Sequence, residues 1–191
     1  KADYQVRNTG TDDGQLAMLR KLELDDAAHR RIIEHCKARD VFFLSTPFDD
    51  ESTDFLVKDL GLGLVKVGSG DMTNGPHLLR LARYGLDVIL STGMATMEEV
   101  REALGVLALG YLGSKVPSAG AIAEAFNDPA GKAVLKKKVT LLHCTSNYPA
   151  PVDEINLAVL DTFRSSYPCP VGFSDHSDGI VIPLAAVGRS A

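Results

Sequence analysis

Five short apolar runs, each followed by a helical pattern, limit this chain to few folds. They are "VFFLS" (41–45), "LVKVGS" (64–69), "DVILS" (87–91), "VTLLHC" (139–144) and "PVGFS" (170–174). Short, nearly continuous runs of this kind are strands buried on both faces of a parallel sheet. They begin 23, 23, 52 and 31 residues apart, a βα beat with one insertion. The insertion, at about 109–138 ("LGYLGSKVPSAGAIAEAFNDPAGKAVLKKK"), reads as an elongated loop with a helical piece.

The segments between the runs carry helix signals. Asp25 or Asp26 can cap a helix whose Ile32, Ile33 and Cys36 share a face. Asn74 caps the next, with Pro76 in its first turn and Gly85 at its end. Thr96 and Glu99 have capping-box spacing ahead of an inward stripe of Val100, Ala103, Leu104 and Leu107. "VDEINLAVLDTF" and "GIVIPLAAV", the latter with Pro183 near its start, complete the set.

Alternating β and α leaves the doubly wound sheet and the (β/α)8 barrel. A doubly wound sheet usually places a glycine-rich phosphate loop at one switch point. The chain has no GxGxxG or GxxxxGK[ST]. Instead every run ends in polar residues: "STPFDD", "GSGDMTN", "STGM", "HCTSNYP" and "SDHSD". A site ringed by all strand ends fits the α/β (β/α)8 TIM barrel. Five strands cannot close one, so the chain is expected to be an incomplete barrel, a partial domain over residues 1–191. Its first residue is not Met, which agrees with a piece of a longer chain.

Composition narrows the function classes. With 191 residues and a net charge of −5, the chain lacks the basic face of a general nucleic-acid binder. The cluster Lys136 to Lys138 reads as a solvated helix end. No apolar run approaches the roughly 18–20 residues that span a bilayer, and the first residues lack a signal-peptide pattern. Cys36, Cys144 and Cys169 have no zinc spacing, and an odd count disfavours a disulfide framework. A cytoplasmic location is expected.

Several strand-end residues exceed what turns and caps require. Lys66 lies between Val65 and Val67 in an apolar strand, where an unpaired buried lysine would be costly. Its neighbours point to the opposite face, so Lys66 is expected in the barrel interior, either binding an anion or forming an ion pair. Ser45, Thr46, Ser69, Gly70, Ser91, Thr92, Gly93 and Ser174 offer a ring of neutral donors suited to a phosphate or carboxylate. His29, His35 and His77 fall on helices and read as surface or packing residues. His143 is read equally as a core histidine or as a group supporting the site. His176, among carboxylates and hydroxyls, is the candidate ligand or acid/base. Alone it establishes no metal site. These residues describe a barrel enzyme acting on a small anion.

Five stretches in order, "FFLSTPFDDESTDFL", "KVGSGDMTN", "VILSTGMATMEEV", "LLHCTSNYPAPVDEINL" and "VGFSDHSDG", resemble the sialic acid synthase family, the phosphoenolpyruvate-dependent synthases of N-acetylneuraminate and related nonulosonates. The resemblance covers most of residues 23–187 and implies a TIM barrel, of which this chain would hold about strands 3 to 7. It would lack the first-strand acidic residue, the second-strand lysine, the last-strand "EKH" histidine and the C-terminal antifreeze-like domain. In full-length members, expected to be homodimers, that domain of one subunit caps the site of another.

Residue by residue, the resemblance assigns Lys66, Ser69, Ser91 and Ser174 to the phosphate and carboxylate of phosphoenolpyruvate, with Thr46 beside them. Ser146 stands where some members have an Asn phosphate ligand. Asp71 occupies a position that is often Glu, near the reacting carbons, and Tyr148 matches a sugar-side tyrosine. His176 matches one of two histidine ligands of a divalent metal, Mn2+ or Mg2+. The implied reaction joins phosphoenolpyruvate to N-acetylmannosamine, with the metal polarising the aldehyde and phosphate leaving by C–O cleavage. Legionaminic and pseudaminic acid synthases share these motifs. Another phosphoenolpyruvate-dependent barrel synthase, a Schiff-base aldolase using Lys66, and an inactive barrel fragment are the other readings.

Overall fold

The computed structural model describes residues 3–10, 14–113 and 116–191. They fall into two compact units, residues 1–43 and 44–191. The first holds α1 (Asp3–Thr9), α2 (Gln15–Leu22) and α3 (Asp26–Ala38). Asp25 is the cap of α3, its carboxylate accepting the Ala28 N–H at 2.7 Å. Neither α2 nor α3 buries a residue, although Ile33 and Cys36 are half-covered on the expected stripe.

The second unit is built on four parallel strands, β1 (Leu64–Val67), β2 (Asp87–Ser91), β3 (Val139–His143) and β4 (Val171–Phe173), in the order β1-β2-β3-β4. Spatial order follows chain order without the reversal that defines a doubly wound sheet. The fifth expected strand, 41–45, does not form. Ser45 accepts one backbone bond from the Lys66 N–H (3.2 Å), and a single bond is not a ladder. Val41 and Phe42 are 57% and 73% exposed, so this apolar run lacks the two-sided cover that its composition suggests.

Ahead of β1 lies α4 (Asp50–Asp54), continued by a π-turn over Phe55–Asp59; between the strands lie α5 (Gly75–Arg83), α6 (Met97–Leu112), α7 (Ala119–Asn127), α8 (Pro129–Lys138) and α9 (Val159–Ser166), and α10 (Val181–Gly188) follows β4. The caps fall where the sequence puts them. Asn74 accepts from the His77 N–H, Gly85 takes φ +72°, and Thr96 and Glu99 close a reciprocal capping box. The insertion departs from expectation: 109–138 is mostly two helices after the end of α6, not a loop with one helical piece. Ser118 caps α7, and Asp128 ahead of Pro129 starts α8. Both pack on α6, and glycines permit close approach of α8 to α7 and of α6 to α7. A Cβ on Gly131 would lie 1.9 Å from the Ala125 carbonyl oxygen, and one on Gly105 would lie 2.7 Å from Ile122. Lys136 and Lys137 end α8 in solvent, while Lys138 bonds the Gly85 carbonyl and Asp87, both at 2.8 Å.

Alternation along the strands separates two faces. Val65, Val67, Val88, Leu90, Val139 and Leu141 are at most 1% exposed and join the side chains of α5, α6 and α8 in the core. The intervening positions, Lys66, Ile89, Thr140 and Leu142, are half-buried and share the other face. At roughly 25 cal/mol per Å2 of apolar surface, the helix-covered face dominates the stabilisation of this unit.

Candidate active site

The C-terminal ends of the strands carry the site residues. Lys66 is the third residue of β1 and is opposite Ile89 of β2. Ser91 ends β2, opposite Leu142, and Leu142 in turn pairs with Gly172. By strand alternation Lys66, Ser91 and Ser174 therefore project from the same face, the one without helices. Ser91 is 3% exposed, and its buried Oγ has no hydrogen-bond partner among the described residues. A buried hydroxyl without a partner loses free energy unless a ligand supplies one. Thr92, next to it, is already committed, donating to the Leu142 carbonyl at 2.9 Å.

The loop after β1 turns immediately. Ser69–Asp71 is a 3-10 turn, with the Asp71 N–H bonded to the Gly68 carbonyl (3.0 Å). This leaves Ser69 and Asp71 half-buried just beyond Lys66. After β2, Met94 is 71% exposed and takes φ +78°, a left-handed conformation that costs a non-glycine residue free energy. Gly93 beside it donates its N–H to the Cys144 sulfur at 3.1 Å, and a Cβ there would meet that sulfur at 3.0 Å. The loops after β2 and β3 are thereby pressed together.

His176 is held from three sides. Its Nδ1 is 2.7 Å from the Thr145 carbonyl, its backbone carbonyl accepts the Ala150 N–H at 2.7 Å, and Tyr148 stacks on its ring at 4.0 Å between centroids. Since a carbonyl only accepts, Nδ1 carries the proton and Nε2 presents a lone pair. Ser174 Oγ lies 3.4 Å from Nε2. Asp175 turns inward on its own loop, accepting from the Ser177 N–H (3.0 Å) and hydroxyl (2.7 Å), which is the turn role expected of it.

The structure thus groups Ser174, His176 and Tyr148, and puts Lys66 and Ser91 on the same sheet face. Thr46 is half-buried on the segment following Ser45, and Ser146 is exposed. Neither has a described hydrogen bond from its side chain. His143 is resolved as a core histidine: it is 8% exposed, bonds the Ile155 carbonyl at 2.7 Å and packs among Phe163 and Phe173. His77, expected at the surface or in packing, is buried at 4% and faces Asp71. Sequence patterns could not find the Thr145 carbonyl, because any residue type supplies one.

An imidazole whose Nδ1 is bonded to a carbonyl is oriented as metal-ligating histidines are, so His176 fits one position of a divalent-metal site. Among the described residues no group of three His, Cys, Asp or Glu side chains forms a cage.

A family model described as the NeuB family matches residues 1–191. The N,N'-diacetyllegionaminic acid synthase of Campylobacter jejuni is 43% identical over all of this chain and 50% of its own length. The human N-acetylneuraminate-9-phosphate synthase is 27% identical over 90% of this chain and 41% of its own length. The crystal structure of the N-acetylneuraminic acid (sialic acid) synthetase of Leptospira borgpetersenii, in complex with citrate, superposes with a TM-score of 0.74 at 29% identity, covering 98% of this chain and 57% of that one. The chain spans about half the length of the curated relatives it matches. Its four strands and their helices are part of a TIM barrel, and the chain belongs to the NeuB family.

Proposed function

We propose that the protein bearing this chain is a nonulosonic acid synthase, condensing phosphoenolpyruvate with the open-chain aldehyde of a 2-acetamido sugar. One observation carries the reading: a lysine and two hydroxyls, Lys66, Ser91 and Ser174, share the helix-free sheet face, and Ser174 Oγ lies 3.4 Å from Nε2 of His176, on which Tyr148 stacks. Lys66, Ser69, Ser91 and Ser174, with Thr46 and Ser146 at the edge, bind the phosphate and carboxylate of phosphoenolpyruvate. Charge-assisted bonds from a lysine and hydroxyls suit a small dianion. Tyr148 and His176 face the sugar, and Asp71 lies near the reacting carbons.

C3 of phosphoenolpyruvate attacks the aldehyde carbon, forming the new C–C bond. Water adds to C2, and the tetrahedral intermediate breaks its C–O bond to release phosphate. Donors placed for the phosphate need no rearrangement as the leaving group departs. A divalent cation, Mn2+ or Mg2+, bound at His176 would supply Lewis-acid polarisation of the aldehyde oxygen.

The greater identity to the Campylobacter jejuni N,N'-diacetyllegionaminic acid synthase (43%) than to the human N-acetylneuraminate-9-phosphate synthase (27%) favours a diacetamido acceptor over N-acetylmannosamine. The protein at its full natural length, given phosphoenolpyruvate labelled with 18O in the bridging C–O oxygen, is expected to release labelled phosphate with a diacetamido hexose as the better acceptor. Unlabelled phosphate, or a borohydride-trapped adduct at Lys66, would overturn the synthase reading in favour of other chemistry. A preference for N-acetylmannosamine would overturn only the acceptor assignment.

A further inference from the structure

The first turn of α5 holds a histidine that the proposed reaction leaves unused. The His77 side chain is 3% exposed, yet its Nε2 has no hydrogen-bond partner among the described residues. Facing it at 3.7 Å is Asp71 Oδ2, also buried and without a hydrogen-bond partner. Two buried polar atoms of opposite character, each otherwise unsatisfied, are a costly arrangement in a resting protein.

Asn74 braces both residues. Its side-chain oxygen accepts the His77 backbone N–H (3.3 Å), and its amide donates to Asp71 Oδ1 (3.1 Å). The two oxygens of Asp71 are thus divided, one held by Asn74 and the other turned toward His77. The Asp71 side chain remains 21% exposed. A second carboxylate near the imidazole, Asp49, is engaged elsewhere. Its Oδ1 accepts the Ser52 N–H at 2.6 Å, and that bond, more than His77, holds its carboxyl below the ordinary range.

We infer that His77 is a positioning residue for Asp71. A closure of less than 1 Å brings the imidazole N–H into hydrogen-bond range of Oδ2 and fixes the carboxylate plane when substrate occupies the strand ends. An aspartate carboxylate on a single methylene has little freedom to correct its own aim, so its neighbours set it. This inference rests on the proposed placement of Asp71 near the reacting carbons.

Three variants of the protein at full natural length test it with phosphoenolpyruvate and the preferred acceptor. His77→Leu keeps an apolar side chain in the pocket but removes the donor. It is expected to lower kcat roughly 10-fold with the KM for phosphoenolpyruvate within about twofold. His77→Gln, whose amide nitrogen reaches the place of Nε2, is expected to recover most of that loss. Equal kcat values in His77→Leu and His77→Gln would overturn the inference, since packing alone would then account for the residue. Should His77→Leu fold poorly, His77→Gln against wild type decides: near-wild-type kcat supports the inference, and a 10-fold loss overturns it. Asp71→Asn separates the two layers. If it is inactive while His77→Leu is normal, only the coupling fails; if it is fully active, the role of Asp71 fails and the inference with it.

Discussion

The two faces of the sheet were built under opposite demands. On one, Val65, Val67, Val88, Leu90, Val139 and Leu141 are sealed by helices and offer nothing chemical. On the other, Lys66 and Ser91 stand at positions adjacent in sequence to those same core residues, and Ser91 keeps a buried hydroxyl unpartnered. A single step along a strand moves from a side chain that stabilises the unit to one poised for a ligand. Stability and activity should therefore be separable by substitutions one position apart.

The largest effect is expected at Lys66. Lys66→Met in the protein at full natural length should lower kcat/KM for phosphoenolpyruvate about 10³-fold while leaving the Tm nearly unchanged. A large fall in Tm would show that the lysine serves the fold, and the contrast between the faces would break there. Leu141→Ala should do the reverse. It removes a side chain with 0% exposure and should cost about 3 kcal/mol in denaturant unfolding, with the KM for phosphoenolpyruvate preserved in the molecules still folded. An altered KM would mean that the two faces are coupled.

The smallest effect belongs to neither face. On the outer helices Asp54 bonds Lys58 (2.7 Å), Tyr84 (2.5 Å) and Arg80 (2.5 Å). The hydrogen bond from Lys58, then those from Tyr84 and Arg80, hold its carboxyl well below the usual carboxylate range. A carboxyl lowered in the folded state contributes stability above its unfolded value, about 3.9 for Asp, and loses it as pH falls toward the folded value. Asp54→Asn should lower the Tm by about 2 °C at pH 6, the modest effect of an exposed cluster, and the gap should close on acidification below about pH 4. A gap that does not narrow at all between pH 6 and pH 2 would mean that shape rather than charge matters there.

Local signals predicted the fold well where one residue governs one geometry. Asn74, Gly85, Thr96 and Glu99 act as their types require, and four of the five apolar runs became strands. The run at 41–45 misled because composition reports an appetite for burial, whereas a strand also needs a partnered ladder. The insertion misled for the opposite reason. Gly110, Gly113, Pro117 and Gly120 punctuate it as a loop would, while Ser118 and Asp128 begin helices within the same stretch. In the candidate site, alternation put Lys66 on the face opposite Val65 and Val67, while Ser91 and Ser174 entered the sequence reading as strand-end hydroxyls. The bracing of His176 by a carbonyl and the facing of His77 to Asp71 depend on loop paths that no periodicity encodes.

The glycines behind the sheet bear on how relatives can diverge. Gly105 and Gly131 set α7 and α8 against their neighbours with no space for one added carbon, and Gly110 does the same against Ala82 at 2.5 Å. A layer packed this closely has little room to tilt against the sheet. Substitutions in the loops at the strand ends alter local shape without disturbing that frame.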